Sequence, residues 1–331
     1  MPSSSKDRRF PGGFNEMHQE GKRKQPMRVF GRILIITLLV TLAVSPALSE
    51  GEFRPLPIDL SGGAPYQATF TKSTMVYEDP TIRVERTPEC FDQASGIRYY
   101  AADIRIKDPS QIRTAAADPS DFLSERRIHA EVIASRVNAV FAMNGDYCGD
   151  YRSSISVKYV LRQGTVYRDS VDTSLDLLLI DEDGDFHIIP GGKELEDMDK
   201  TQINGKKVYN ALQFGPALVI DGQPVEDSYV LDDSHSPLFA KPAAKAVRIC
   251  IAQTGPLQYK AVCTKYAYNM AKFKQLIVNI APGCSNAYVL DGGGSAQLAF
   301  LGKIVNYMNG KNSNLRRVSD ILYFASAWFE D

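Results

Sequence analysis

The sequence predicts an α+β fold, a single domain with a mixed, strongly twisted β-sheet and a few packed helices. Short apolar runs recur from Thr81 onward, and turns that contain glycine separate them, which is typical of strands joined by hairpins. Two segments place apolar residues at helical spacing instead. Because no repeat or low-complexity linker interrupts residues 81–324, these elements are expected to share one core.

The first half of this domain is predicted to run strand, helix, strand. Residues 99–106, YYAADIRI, have the pattern of a strand. Residues 124–137 follow with a helical pattern, whose apolar positions are Ile128, Val132, Ile133 and Val137. The apolar run AVFAM, residues 139–143, then predicts a strand that stops at polar residues.

Four hairpins and a second helix are predicted after this strand. The hairpins cover residues 160–169, 175–189, 216–225 and 246–266. The turn DEDGD in the second hairpin lacks the spacing and the final glutamate of a calcium-binding loop, so a plain turn is expected. The helix NMAKFKQLIVNI ends at APGC, and the strand NAYVL follows and leads into Asp291.

Composition and charge exclude several classes of protein. The chain has 331 residues, of which 44% are hydrophobic and 23% are charged, as in a globular protein rather than a disordered or collagen-like one. Residues 1–49 carry eight Lys and Arg against three Asp and Glu, while the whole chain has a net charge of −1. The remainder therefore has a net charge of about −6, and no basic surface for nucleic acid is expected.

The N-terminal region is predicted to direct export. Arg28 and Arg32 flank an apolar core at residues 33–44, and the small residues ALS frame a cleavage point. A cleaved signal peptide would make the protein secreted or extracytoplasmic, whereas an uncleaved segment would anchor it in a membrane, and both alternatives stay open. The predicted division is a tail and signal at 1–49, an extension at 50–80 and the functional domain at 81–331.

The cysteines are expected to lie in an oxidising compartment. All five follow residue 49, and their odd number leaves at least one without a partner in the chain. Cys250 and Cys263 flank the turn of the fourth hairpin, so a disulfide between them is expected. No CxxC pair and no Cys/His spacing indicates a zinc site.

The stretch LDGGGSAQLAF is the first candidate site, since Asp291 ends a strand and is followed by Gly292, Gly293, Gly294 and Ser295. A dinucleotide fingerprint needs glycine where Gln297 stands, a P-loop needs Gly-Lys-Ser/Thr, and the nucleophile elbow GxSxG fails at the same glutamine. Two interpretations stay open. One is a tight turn capped by Asp291, and the other is a ligand site in which bare backbone lies beside a carboxylate.

A similar pattern ends the strand AVFAM, where Asn144 and Asp146 flank Gly145. One interpretation of this pattern is an Asn-Gly turn capped by Asp146, and the other is a functional site. Two apolar strands that both stop at a carboxylate beside glycine favour a site, because functional groups concentrate on loops of a rigid sheet. Arg248 lies in the apolar run AVRICIA, where a guanidinium requires an anionic partner, either a carboxylate or the phosphate of a ligand.

These motifs together resemble the phosphodiester glycosidase family, which includes the mannose 6-phosphate uncovering enzyme and bacterial proteins associated with exopolysaccharide. The similarity covers about residues 99–324 and rests on AMNGDYCG, LRQGTVYR, FGPALVIDG, RICIAQTGPLQY, AYVLDGGGSAQLAF and RRVSDILYF, in the family's order. The family's late arginine falls on Arg317, with Asp320 after it. The sequence departs from the family at Gln258, where many members have histidine, and at Arg316, where an acidic residue is common.

The resemblance implies a hydrolase that cleaves the bond between sugar C1 and a phosphodiester in a glycan or glycoconjugate. Asp291 and Asp146 would be the carboxylate pair, and Asn144 would orient the sugar or water. Arg248, with Arg317, would bind the phosphodiester, helped by the backbone amides of the glycine turn. No cofactor is expected, and a divalent cation near these aspartates stays an open alternative that no ligand spacing requires. The alternative is a non-catalytic glycan-binding module of the same fold on the cell surface.

Overall fold

Strands far outnumber helices in the structure, a computed structural model that describes residues 69–71, 75–147, 158–232, 241–306 and 315–327. The described strands are β1 (Thr69–Thr71), β2 (Val76–Glu78), β3 (Ile82–Arg86), β4 (Cys90–Asp92), β5 (Ile97–Ile106), β6 (Ile112–Ala116), β7 (Ala139–Asn144), β8 (Val160–Arg162), β9 (Thr165–Arg168), β10 (Leu177–Asp181), β11 (Phe186–Ile189), β12 (Gln202–Ile203), β13 (Lys206–Gln213), β14 (Ala217–Ile220), β15 (Gln223–Pro224), β16 (Ile249–Gly255), β17 (Gln258–Thr264), β18 (Asn286–Val289), β19 (Leu298–Phe300), β20 (Lys303–Ile304) and β21 (Asp320–Ala325). The described α-helices are α1 (Ala130–Arg136), α2 (Glu194–Asp197), α3 (Asp227–Leu231) and α4 (Met270–Ile280), and short 3-10 turns lie at Pro109–Gln111 and Gly293–Ser295. The predicted signal segment and Cys148 lie outside the described residues.

The described strands form three sheets rather than one. The first has the order β1-β2-β3-β5-β17-β16-β18-β14-β15, with β4 also on β5; the second is β11-β10-β13-β8-β9, with β12 on β13; and the third is β20-β19-β7-β21-β6. Every pairing between these strands is antiparallel. The prediction of a mixed sheet is therefore wrong, and the fold is mostly β rather than evenly α+β.

Inserted strands explain why the helical connections create no parallel pair. Helix α4 connects β17 to β18, as in a parallel crossover, but β16 lies between these strands and pairs antiparallel with both. Helix α1 likewise connects β6 to β7, and β21 lies between them. The sequence predicts the order β17, α4, β18, but it does not predict β6, because the strand expected before α1 is β5. Strand β16 comes from the hairpin that precedes α4, whereas β21 comes from a distant part of the sequence.

The local elements agree with the sequence more closely than the sheets do. All four predicted hairpins form, as β8–β9, β10–β11, β14–β15 and β16–β17. Helix α4 begins after Asn269, whose side chain caps it by accepting a hydrogen bond from the Lys272 amide. Helix α1 is shorter than predicted, because Ile128 pairs with Val318 in a β-bridge before the helix begins.

The expected disulfide between Cys250 and Cys263 is absent, and both residues are free thiols. The register of β16 and β17 gives the reason. Cys250 pairs with Val262, while Cys263 pairs with Ile249, so the two cysteines point to opposite faces of the hairpin. Both are buried in the core, and burial raises the pKa of each thiol.

The main core joins all three sheets. Its buried apolar side chains include Ile251 of the first sheet, Leu178 of the second and Phe324 of the third. The first sheet begins before residue 81, since β2 pairs with β3. Within the described part of the chain, no helix is both long and apolar enough to cross a bilayer.

Candidate functional site

The loop that follows β18 carries the chain from the first sheet into the third. Asp291 comes two residues after the buried strand β18, and the strand β19 begins soon after the glycines, as the sequence predicts. Gly292 has an extended backbone, yet a Cβ there would lie 2.6 Å from the Val247 carbonyl oxygen. Gly293 has a φ of +61° and donates its amide to the same carbonyl at 2.8 Å. Glycine is thus required by close packing at one position and by backbone conformation at the next.

Asn144, at the end of β7, fastens this loop. Its Nδ2 donates to the Asp291 carbonyl at 2.8 Å, and its Oδ1 accepts from the Gln297 amide at 3.0 Å. Asn144 is buried, and both polar atoms of its amide bind backbone on either side of the glycine turn. The side chain therefore positions the Asp291 loop rather than facing a ligand.

Asp291 is a largely buried carboxylate that borders a pocket. Burial raises its pKa, while a hydrogen bond from Ser295 and the positive charges of Arg316 and Lys158 oppose that rise. An acid in this setting is a stronger base than an exposed aspartate, because its charged form is poorly solvated.

The pocket has a volume of about 320 Å³. Its described lining contains one carboxylate, Asp291, and four cationic side chains, which are Lys241, Lys245, Arg248 and Arg316. Apolar groups complete the wall, chiefly Phe214, Met270, Val289 and Leu290. This is at the lower end of the range for small-molecule sites, and the excess of positive charge favours an anionic ligand.

Arg248 is a buried cation without a carboxylate partner among the described residues. Its Nε donates to the Tyr268 carbonyl at 3.1 Å, and its Nη2 donates to the carbonyls of Lys241, Pro242 and Ala244 at 3.3, 3.2 and 2.6 Å. Burial lowers the pKa of the guanidinium to about 10. No hydrogen bond to Nη1 occurs within the described part of the chain. The guanidinium thus holds the segment 241–244 in place, and among the described residues nothing occupies its Nη1 group, which is left to donate to a ligand.

Asp146 lies beneath the site, in a buried charge cluster formed by Asp146, Lys158, Arg162 and Asp320. Its Oδ1 accepts from Arg162 at 2.6 Å, and its Oδ2 accepts from the Gln213 amide at 2.6 Å. Lys158 donates to its backbone carbonyl. Asp146 is fully buried and does not line the pocket, so its position is that of a structural carboxylate.

Asp320 is the second carboxylate of the buried charge cluster. Its Oδ2 lies 3.4 Å from Arg162, and its Oδ1 accepts from the Tyr147 amide at 3.3 Å. Burial, and then the negative charge of Asp146, raise the pKa of Asp320 to about 6. The backbone of Gly145 passes so close that a Cβ there would lie 2.1 Å from the Asp320 Oδ2.

The structure brings together only part of the predicted site. Arg248, Asp291, Gly292 and Gly293 line one pocket, and Ser295 is hydrogen-bonded to the carboxylate of Asp291. The amide of Gly293 is already bonded within the protein, which leaves less bare backbone for a ligand than the sequence suggested.

Arg316, rather than Arg317, belongs to the pocket. Both side chains are exposed, but only Arg316 contributes to the described lining. Its amide donates to the Gly294 carbonyl at 2.7 Å, which fixes this segment against the glycine turn. The resemblance placed Arg317 in the phosphate site, and the sequence pattern assigned no role to Lys241 and Lys245, although both precede Arg248 closely in AKPAAKAVR.

Gln258, which stands where many family members have histidine, lies away from this pocket. It pairs with Gly255 at the turn of the β16–β17 hairpin, whereas Thr264 at the other end of β17 hydrogen-bonds the Arg248 amide. Six residues of strand separate the two ends, or about 20 Å. Gln258 lines a second pocket of about 280 Å³ instead.

The site combines a buried strand-end carboxylate with a cationic pocket and with a buried arginine that has no carboxylate partner among the described residues. This combination, on a mostly β fold, favours an anionic ligand. The family model for phosphodiester glycosidase matches residues 137–325, a range that holds the whole pocket and the buried charge cluster. The chain belongs to the phosphodiester glycosidase family.

Solved structures that match this chain have low sequence identity to it. The catalytic domain of zebrafish N-acetylglucosamine-1-phosphodiester alpha-N-acetylglucosaminidase, auto-inhibited by its pro-peptide, matches with a TM-score of 0.58 and 15% identity over 75% of this chain and 85% of that one. A hypothetical protein from Synechocystis matches with a TM-score of 0.49 and 13% identity over 74% of this chain and 62% of that one. No curated protein sequence gives a significant match.

Proposed function

We propose that the protein is an extracytoplasmic hydrolase that cleaves the C1–O bond of a sugar 1-phosphodiester. The observation that supports this most directly is the pocket in which Asp291 is the one carboxylate of the described lining, beside four cationic side chains. A phosphodiester carries a negative charge that Arg248 and Arg316 would attract, whereas a neutral glycan would form no ion pair with them.

Arg316 and the free Nη1 of Arg248 are the proposed donors to the phosphodiester oxygens. Guanidinium groups suit this task, because they remain charged and bind oxyanions with directional hydrogen bonds. The apolar wall formed by Phe214 and Met270 would pack against the sugar. With the phosphate fixed by the arginines, C1 of the sugar would lie towards Asp291.

Asp291 is proposed to act as the general base. It takes a proton from water while the water oxygen bonds to C1, and the C1–O bond breaks with its electron pair going to the phosphate oxygen. A phosphodiester leaves as a weakly basic anion, so this step requires no acid to protonate the leaving group. The oxocarbenium-like charge that develops on the sugar is stabilised by the same carboxylate.

One carboxylate suffices for a single displacement, and we therefore expect inversion at C1. Asp146 was the predicted partner of Asp291, but its two oxygens are bound to Arg162 and to the Gln213 amide. A retaining route would require a second carboxylate next to the sugar. Proton NMR of the first-formed sugar anomer measures this outcome, and retention would contradict the single-carboxylate scheme.

The activity is tested with the mature protein and an N-acetylglucosamine 1-phosphate methyl diester, since the zebrafish structural neighbour is named for that type of substrate. Release of free sugar is expected from the wild type and should fall by about 10²- to 10⁴-fold in Asp291→Asn. Asp103→Asn, which alters an exposed carboxylate on β5, is the matched control and should keep full activity. Release that survives Asp291→Asn unchanged would remove Asp291 from the mechanism.

A non-catalytic glycan-binding module remains the second candidate, because the same pocket could hold a ligand without cleaving it. Absence of sugar release across several sugar 1-phosphodiesters, with binding retained, would favour it. Export is tested separately, since N-terminal sequencing of the protein isolated from its host should find a start near residue 50. An intact N-terminus on membrane-bound protein would show an uncleaved anchor instead.

A further inference from the structure

The segment 241–246 forms one side of the pocket and is held unusually firmly. Arg248 donates to three of its carbonyls, and the Met270 amide donates to the Pro242 carbonyl at 3.0 Å. Ala246 and Tyr268 exchange two backbone hydrogen bonds, at 3.1 and 2.8 Å. The backbone that carries Lys241 and Lys245 is thus fixed relative to the pocket.

The ammonium groups of Lys241 and Lys245 have no partner within the described part of the chain. Both residues are exposed, and both line the pocket. Some other lysines are neutralised by a nearby carboxylate: Lys260 lies 2.5 Å from Asp103, and Lys274 lies 2.7 Å from Asp227. The pocket lysines therefore contribute positive charge that the described protein does not balance.

The charge of a single phosphodiester does not balance this pocket. Four cationic side chains would face the Asp291 carboxylate and one phosphate, which leaves an excess of positive charge. The two arginines suffice for the phosphate next to C1. With a volume of about 320 Å³, the pocket holds little more than a sugar and its phosphate, so the rest of a longer substrate must leave past exposed side chains of the lining.

We propose that Lys241 and Lys245 form a second anion subsite, which binds the next phosphate of a substrate built from repeated sugar phosphodiesters. This rests on the proposed function, because it takes the first phosphate to lie between Arg248 and Arg316. The lysines act by binding and not by chemistry, so they should change KM and leave kcat unaltered.

The test uses the full chain and two substrates. One is the N-acetylglucosamine 1-phosphate methyl diester, with one phosphate, and the other is a synthetic sugar phosphodiester dimer with two. Each exposed lysine contact is expected to contribute about two- to fivefold, so the double variant Lys241→Gln/Lys245→Gln should lower kcat/KM for the dimer by about tenfold through KM. Its kcat/KM for the methyl diester should change by less than about twofold.

Two control variants separate charge from position. Lys260→Gln/Lys274→Gln makes the same change of net charge away from the pocket lining and should leave both substrates unaffected. Lys241→Arg/Lys245→Arg keeps the charge in place and should restore the preference for the dimer. An equal loss on both substrates in the Lys241→Gln/Lys245→Gln variant, or no loss on the dimer, would overturn the second subsite.

A third substrate tests how far the second phosphate lies from the first in the substrate. A uridine diphosphate sugar carries its second phosphate immediately next to the first, whereas the dimer carries it one sugar further on. If Lys241→Gln/Lys245→Gln loses more kcat/KM with the dimer than with the nucleotide sugar, the result supports a substrate of repeated phosphodiesters. A larger loss with the nucleotide sugar overturns that assignment.

If the wild type cleaves none of these substrates, the proposed activity fails while the subsite is still testable. Calorimetric titration with the dimer then measures binding directly. Weaker binding by Lys241→Gln/Lys245→Gln, with wild-type binding by Lys260→Gln/Lys274→Gln, supports the subsite, and equal binding by both double variants overturns it.

Discussion

Asp320→Asn tests the buried charge cluster beneath the pocket. The carboxylate of Asp320 lies near the negative charge of Asp146 and near the positive charges of Arg162 and Lys158. Ser319 donates a hydrogen bond to this carboxylate at 3.1 Å. All of these groups are buried. Asparagine has nearly the same shape as protonated aspartic acid but cannot ionise, so the variant should isolate the effect of the charge.

The sign and size of the effect follow from the pKa of Asp320. The pKa is raised from 3.8 to about 6, so the folded protein binds this proton more tightly than the unfolded chain does. The resulting stabilisation is fully present below about pH 4 and is lost as the pH rises through about 6. A shift of about two pKa units corresponds to about 3 kcal/mol of unfolding free energy.

Urea unfolding of the wild type and of Asp320→Asn across this pH range measures the effect. The difference in unfolding free energy should move in favour of the asparagine variant by about 3 kcal/mol between about pH 4 and about pH 7.5. Glu125→Gln, in an exposed loop, is the control and should show a constant difference. A constant difference for Asp320→Asn as well would refute the view that burial and Asp146 hold a proton on Asp320.

Three further changes test the packing around the site. Gly292→Ala places a Cβ against a backbone carbonyl and should destabilise the protein by about 1–3 kcal/mol, whereas Gly283→Ala, with a φ of +73° and open space around it, should cost only about 1 kcal/mol, both measured by urea unfolding. Arg162→Met leaves two buried carboxylates without their cation, so a loss of about 3–5 kcal/mol is expected in the same measurement. Cys250 and Cys263 are buried with raised pKa values, so mass spectrometry should find both unlabelled by a thiol reagent until the protein is unfolded.

Each of these expectations has an outcome that contradicts it. A cost well below about 1 kcal/mol for Gly292→Ala would mean that the Cβ is accommodated beside the Val247 carbonyl without strain. Wild-type stability in Arg162→Met at neutral pH would mean that the two carboxylates do not depend on this cation. Rapid labelling of Cys250 in the native protein would show that β16 opens readily.

Local structure was predictable because its causes are local. The four hairpins follow from apolar runs joined by glycine turns, and α4 follows from its apolar spacing together with the Asn269 cap. The division into three sheets was not predictable in this way. It depends on β16 pairing with β18 and on β21 lying between β6 and β7, and no local pattern indicates these long-range pairings.

The candidate site shows the same difference between local and long-range causes. Asp291 and Asp146 have the same sequence pattern, a carboxylate beside glycine at a strand end, but one borders the pocket and the other is neutralised by Arg162. Arg162 was read only as part of a hairpin, yet it is fully buried. A pattern of this kind indicates where a carboxylate lies along a strand, and not whether the fold supplies an internal partner for it.

The position of β21 also governs when the site can form during synthesis. Gln111, just before β6, donates its side-chain amide to the Ala325 carbonyl on β21, across 214 positions of sequence. Until β21 emerges, β6 and β7 lack the neighbour between them, and Asp320 is missing from beneath the Asp291 loop. Contacts of such long range close late and slowly. A nascent chain should therefore gain its pocket only after β21 has left the ribosome, and a chain truncated before β21 should have no competent site.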